Sequence, residues 1–161
     1  MIWQPLQPPE AEIALDRVLR SWLGTPYIIG QRLRGVGADC VQLVVGILDQ
    51  LERRVVPSIV PRLPWNCAIH SVRAAFSTVR AIRTAFPSFV VRDDVVEPGD
   101  ILITRPTTNN RSAPRPGHVL IVSPRKNIAL HTTCETAACW TSIHNLEILR
   151  TYRPRNKHLW M

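Results

Sequence analysis

Cys40 closes a turn-forming stretch and opens an apolar one. From Trp22 to Val45 the chain reads WLGTPYIIGQRLRGVGADCVQLVV, with Gly24, Pro26, Gly30, Gly35 and Gly37 ahead of Asp39 and Cys40. Val41, Val44, Val45, Leu48 and Leu51 then recur at helical spacing, which predicts a helix over about 39 to 53. A cysteine in the first turn of a helix meets unpaired N–H groups and the positive end of the helix dipole. Both favour thiolate, and thiols in such settings fall from about 8.5 to roughly 3.5–7.5 in pKa. The thiolate is the nucleophile, so Cys40 is the candidate centre of covalent chemistry. The competing reading is a buried cysteine that only fills space on a helix face.

Two histidines offer a base. His118 to Ser123 (HVLIVS) reads as a strand, Pro124 to Asn127 as a turn, and Ile128 to Thr133 (IALHTT) as the return strand. With a four-residue loop, Ser123 faces Ile128 and His118 faces Thr133. His131 then lies diagonally from His118 on the same face, within reach of a long side chain. A slip of one residue would separate them. Taken singly, each histidine reads equally well as an ordinary sheet residue. Together with Cys40 they make a nucleophile, a base and a group that orients the base. His118 would take the Cys40 proton and return it to the leaving amine, and His131 would fix the tautomer of His118. Backbone N–H groups near Cys40 would hold the oxyanion, a role worth about 3–4 kcal/mol per donor elsewhere. Nucleophile first and histidine later is the chain order of papain-like enzymes.

The elements that must position these groups follow from the pattern. Residues 1–9 carry three prolines and read as an extended arm, and 10–161 read as a single domain. Pro8-Pro9-Glu10 marks a helix start, with Ile13, Leu15, Val18, Leu19 and Trp22 as its apolar stripe. Asp39 can cap the second helix. A proline-bearing connector over 55–67 and a third helix over 68–85, with His70 on its outside, come next. Strands are predicted at 89–92, 101–104, 118–123, 128–133 and 146–152, and Val96 to Asp100 is a type II turn. Residues 106–117, polar and rich in proline, read as a flexible flap. Helices first and strands later predict an α+β fold, with the N-terminal helices packed on an antiparallel sheet of about five or six strands.

Composition narrows the function classes. The chain has 161 residues, 45% of them hydrophobic and 20% charged, which suits a globular domain with a real core. No run of about 18 apolar residues is present, so no membrane insertion is expected. The opening MIWQPLQPPEAEI lacks the basic and apolar regions of a secretory signal, so synthesis in the cytoplasm is expected. The net charge is +8, yet the positive residues form no run of five or six, so no specific nucleic-acid partner is expected. Cys40, Cys67, Cys134 and Cys139 form no CxxC pair and no histidine sits at finger spacing, which argues against a zinc site.

The chain resembles the NlpC-type cell-wall cysteine peptidase family. The matching stretches are W-L-G-T-P-Y at Trp22 to Tyr27, A-D-C at Ala38 to Cys40, E-P-G-D-I-L at Glu97 to Leu102 and G-H-V-L-I-V at Gly117 to Val122, and Leu130-His131 falls where the family keeps its third polar residue. The resemblance implies a papain-like fold, no cofactor, and hydrolysis of peptide bonds in peptidoglycan stem peptides. It implies Cys40 as nucleophile, His118 as base, His131 as orienting residue, and Tyr27 and Asp39 as residues on the substrate side. The compact form resembles versions encoded among phage tail genes, which implies tail proteins as partners and action in the cell wall from the virion. One departure stands out: Val41 and Gln42 follow the cysteine where the family has Ser and Gly. The alternatives are a papain-like module of weak or no activity that serves tail assembly, an acyltransferase or amidase using the same groups, and a charge-driven nucleic-acid binder.

Overall fold

The computed structural model describes residues 8–52, 80, 83, 89–92, 95–105 and 118–154. The connector, the flap, Cys67, His70 and, apart from the helical Arg80 and Arg83, the third helix lie outside the described residues. Helix α1 spans Pro8–Trp22. Pro8 and Pro9 therefore belong to its first turn, where the missing N–H has no helical partner to lose, and not to an extended arm. Its buried side is Ala11, Ala14, Leu15, Val18, Leu19 and Trp22. Ile13, expected in this stripe, is 66% exposed. At about 100° per residue it points away from Leu15, two positions on.

Between the helices the chain forms a short hairpin, β1 (Arg32–Leu33) with β2 (Gly37–Ala38). Helix α2 follows at Cys40–Glu52, and every residue from Cys40 to Leu48 is buried. Six antiparallel strands make the sheet: β3 (Phe89–Arg92), β4 (Ile101–Thr104), β5 (His118–Val122), β6 (Ile128–Thr133), β7 (Thr136–Ser142) and β8 (Ile148–Pro154), in the order β3-β8-β4-β5-β6-β7. The α+β fold with an antiparallel sheet is as predicted. The β1–β2 hairpin and β7 are not, because each is short or exposed: of β7 only Ala138 is buried.

Helix α2 lies between α1 and the sheet. Its apolar side chains join Leu15, Leu19 and Trp22 on one side and Ile101, Ile103, Val119, Ile121 and Leu130 on the other. The far face of the sheet is covered as well, since Leu102, Leu120, Val122 and Ala129 meet Val96, Ile143, Leu146 and Ile148. Strands buried on both faces explain the unbroken apolar runs of β4 and β5. The turn before β4 is the predicted one: Pro98 and Gly99 occupy its centre, Gly99 has φ 80°, and Asp100 N–H donates to Glu97 O at 3.1 Å. The buried Asp100 carboxylate then accepts a two-pronged pair from Arg153 of β8, at 2.9 and 2.8 Å.

The segment between α1 and α2 is laced down along its length. Gly24 N–H donates to Ala138 O and Ala138 N–H to Thr25 O, both at 2.8 Å, so this segment covers the β7 edge. Ala38 N–H donates to Pro26 O at 2.9 Å, Gly35 N–H to Thr25 Oγ1 at 2.9 Å, and Arg32 reaches Asp49 of α2 at 3.2 Å.

The α1–α2 contact closes over Gly46. A Cβ there would lie 2.5 Å from Cη2 and 2.7 Å from Cζ2 of Trp22. The indole is itself tied down, since Nε1 donates to Gln50 Oε1 at 3.2 Å. Alanine is favoured over glycine inside a helix by about 1 kcal/mol, but overpacking costs about 1–3 kcal/mol. Gly46→Ala should therefore lower stability by about 1 kcal/mol net in chemical denaturation. A raised midpoint would show that Trp22 gives way freely.

Candidate active site

Cys40 stands at the tip of α2 because Asp39 starts that helix. Asp39 Oδ1 accepts from Gln42 N–H at 2.8 Å, which is the predicted N-cap, and Oδ2 accepts from Gly30 N–H at 2.7 Å. The expected substrate-facing role does not hold for Asp39. It is wholly buried, with both oxygens occupied by backbone donors. Burial raises the pKa of its carboxyl, and the N–H groups of Gln42, Gly30 and Val41 oppose the rise.

The Cys40 sulfur lies where two strands part. The ladder between β5 and β6 ends at Ile121↔Leu130. The N–H of Val119, two residues further along β5, is turned to the Cys40 thiol, as are those of Val41 and Cys40 itself. These donors favour thiolate, but they do not prevail. Burial, and after it the charge of Asp39, pushes the thiol up to about 12. The expected lowered pKa is thus overturned: the helix tip is buried, and desolvation of the anion outweighs the dipole.

The two histidines meet. His118 Nε2 and His131 Nδ1 are 2.8 Å apart, and the rings stand edge to face with centroids 5.1 Å apart. The hairpin has the expected register, with Ser123 N–H donating to Ile128 O and Ile121 opposite Leu130. Burial, with His131 adding, lowers His118 to about 3, and burial lowers His131 too. Both rings are therefore neutral near pH 7, and one proton is shared across the 2.8 Å contact. His118 precedes Val119, the residue whose N–H meets the Cys40 sulfur.

Tyr27 is half-buried beside this group. Burial raises its phenol, and Cys40, Asp39 and Cys134 add to the rise, so it stands as a protonated O–H donor. Cys134, exposed on the β6–β7 turn, is a free thiol, and so is Cys139, which pairs across the strands with His131. Val41 and Gln42 are both buried, and neither opens onto the surface. The Val119 N–H is the site group the sequence hides. A backbone donor has no side-chain signature, and only the end of the β5–β6 ladder reveals it.

No protein-family model and no curated protein matches the chain. Among solved structures it is similar to the NlpC/p60 domain of the peptidoglycan hydrolase SagA, at 15% identity and a TM-score of 0.56 over 88% of this chain and 97% of that one. It is also similar to NlpC1 and NlpC2 of Trichomonas vaginalis, at 17% and 14% identity and a TM-score of 0.55 for each. It spans 47% and 51% of those two chains, about half their length. At these identities the likeness is one of fold: the chain has the NlpC/p60 architecture, a papain-like α+β arrangement.

The burial of neutral His118 has a pH signature. The unfolded imidazole takes a proton below about 6.5, whereas the folded one resists until about 3. The group therefore adds stability that is complete above pH 6.5 and is lost as the pH falls toward 3. Denaturant unfolding from pH 7 to pH 4 should show this decline, and His118→Asn should flatten it. Equal slopes in the two proteins would mean that His118 is not held neutral.

Proposed function

We propose that the protein is a cysteine peptidase that hydrolyses peptide bonds in peptidoglycan stem peptides, with Cys40 as nucleophile, His118 as base and His131 as the group that orients the base. The observation that carries this reading is the 2.8 Å contact between His118 Nε2 and His131 Nδ1 at the end of β5 where the Cys40 sulfur meets the Val119 N–H. The NlpC/p60 fold of the solved relatives, one of them named a peptidoglycan hydrolase, supports the substrate class.

The chemistry starts from neutral groups. His118 donates its Nε2 proton to His131 Nδ1, which leaves His118 Nδ1 free to accept. As the Cys40 sulfur attacks the scissile carbonyl carbon, its proton passes to His118 Nδ1. The oxyanion is met by N–H groups at the tip of α2 and by the protonated Tyr27 phenol. His118 then gives the proton to the leaving amine, the C–N bond breaks, and a thioester remains on Cys40. Water attacks the thioester with His118 again as base, which releases the acid and restores the thiol. Because thiol and imidazole start neutral, the imidazolium forms only during the reaction, and His131, itself neutral, is the acceptor that steadies it.

The phage-tail setting belongs to the same proposal and follows the resemblance to versions of the family encoded among phage tail genes. In that setting the enzyme acts on the wall from the virion, with tail proteins as partners, and mass analysis of purified particles tests it. A second reading, a papain-like module without activity, is favoured by the thiol at about 12 and by Val41 and Gln42 after the nucleophile.

One experiment separates the two. Purified peptidoglycan is incubated with wild type, Cys40→Ala and His118→Ala, and new amino ends are counted and identified by mass. Wild type should release them, Cys40→Ala should fall to background, and His118→Ala should lose about 10²–10⁴-fold. Equal release by wild type and Cys40→Ala would reject the peptidase reading.

A further inference from the structure

The outer ladders of both neighbours of β5 shift register at the level of His118. On β6 the pairing with β7 shifts between His131 and Thr133. On β4 the pairing with β8 shifts between Ile103 and Thr104, so that Ile103 faces Arg150 while Thr104 faces Ile148. Such bulges re-aim a side chain at the cost of a regular ladder. The first lies beside His131, with its extra residue on β7. The second lies beside Thr104, with its extra residue, Leu149, on β8, and Thr104 itself pairs directly with His118 across β4 and β5. The imidazole thus stands in a row between Thr104 on one strand and His131 on the other.

Thr104 is wholly buried, and its hydroxyl has no hydrogen-bond partner among the described residues. A buried hydroxyl left unpaired destabilises a fold, and valine would fill the same volume without that loss. The described residues offer no packing reason for the oxygen. What changes beside it during the proposed reaction is the buried His118 ring, which goes from neutral to positive and back.

We infer that Thr104 is a positioning residue for His118: its hydroxyl oxygen turns its negative end toward the ring and steadies the imidazolium, opposite the support given by His131. His131 takes the Nε2 proton, Cys40 exchanges a proton with Nδ1, and Thr104 acts on the ring from the β4 side without taking a proton. The inference rests on His118 as the proton acceptor of the proposed reaction, but the cross-strand pairing of Thr104 with His118 stands apart from any substrate.

Thr104→Val keeps the shape and removes the hydroxyl, whereas Thr104→Ser keeps the hydroxyl and removes a methyl. Each is compared with wild type in three measurements: melting temperature, the ring signals of His118 by NMR, and the rate of Cys40 alkylation by iodoacetamide, followed by peptide mass with exposed Cys134 as internal reference. Alkylation passes the same proton to His118 as the proposed peptidase step and needs no substrate. Thr104→Val should melt at or above the wild-type temperature, shift the His118 signals and slow Cys40 alkylation about ten-fold, with Cys134 unchanged. Thr104→Ser should restore both the signals and the rate. Superimposed ring signals in wild type and Thr104→Val, equal Cys40 rates in all three proteins, or a Thr104→Ser as slow as Thr104→Val would each overturn the inference. Should Cys40 fail to react even in wild type, the peptidase reading falls and the ring signals alone decide on Thr104.

Discussion

A single buried carboxylate holds the site in register. Asp39 accepts from Gln42 N–H and from Gly30 N–H, so one side chain both starts α2 and anchors the segment that leads to it. An N-cap contributes about 1 kcal/mol, and a hydrogen bond to a charged acceptor about 1.5–3 kcal/mol. Those gains offset only part of the desolvation of the anion, since burial still raises the carboxyl pKa on balance. The lacing of the segment to β7 through Gly24, Thr25 and Ala138 then fixes the helix tip relative to the sheet. In the proposed site sulfur and imidazole come from chain positions 40 and 118, and this anchor sets the place of the first.

The same carboxylate shapes the chemistry of its neighbour. A helix N-terminus stabilises a nearby anion by about 0.3–1 kcal/mol, and by about 2 kcal/mol at best. Raising the Cys40 thiol from 9.0 to about 12 corresponds to roughly 4 kcal/mol against the thiolate. Burial wins, with Asp39 adding to it. A resting thiolate–imidazolium pair is therefore not what this fold holds. It holds a thiol, an imidazole and a second imidazole, each neutral, so every charge must appear in the course of the reaction. Groups that stabilise nascent charge, which are the backbone N–H donors, the Tyr27 phenol and the polar neighbours of His118, carry more of the work than in a site with a preformed ion pair.

Much of the scaffold could be read from the chain, and the reasons are local. Asp39 as cap, Pro98-Gly99 as turn and the Ser123–Ile128 closure of the hairpin all follow from short-range rules, and the diagonal of His118 and His131 follows from that closure. What escaped depends on distant partners. β8 inserts between β3 and β4, which no periodicity announces. β7 is an edge strand with one buried residue, so its pattern is faint. Ile13 reads as apolar, yet it lies off the buried stripe by helical angle. The direction of the Cys40 shift was beyond reach for a further reason: it balances a dipole visible in sequence against a burial that only the packed structure supplies.

The parting of β5 and β6 ties these threads together. Had their ladder run on past Ile121↔Leu130, the register would set Val119 against Thr132, and the Val119 N–H would be spent on a strand partner. At that level the pairing of β6 with β7 also shifts, with the extra residue on β7. The divergence leaves the Val119 donor free, opens the gap that the tip of α2 fills, and lets the His131 ring swing across to His118. One irregularity in the sheet thus yields a seat for the sulfur, a donor beside it and an acceptor for the base. A regular sheet of the same residues would pair its backbone more fully and would have no place for the sulfur. The loss of the β5–β6 ladder at this point is the local stability that the fold gives up at this site.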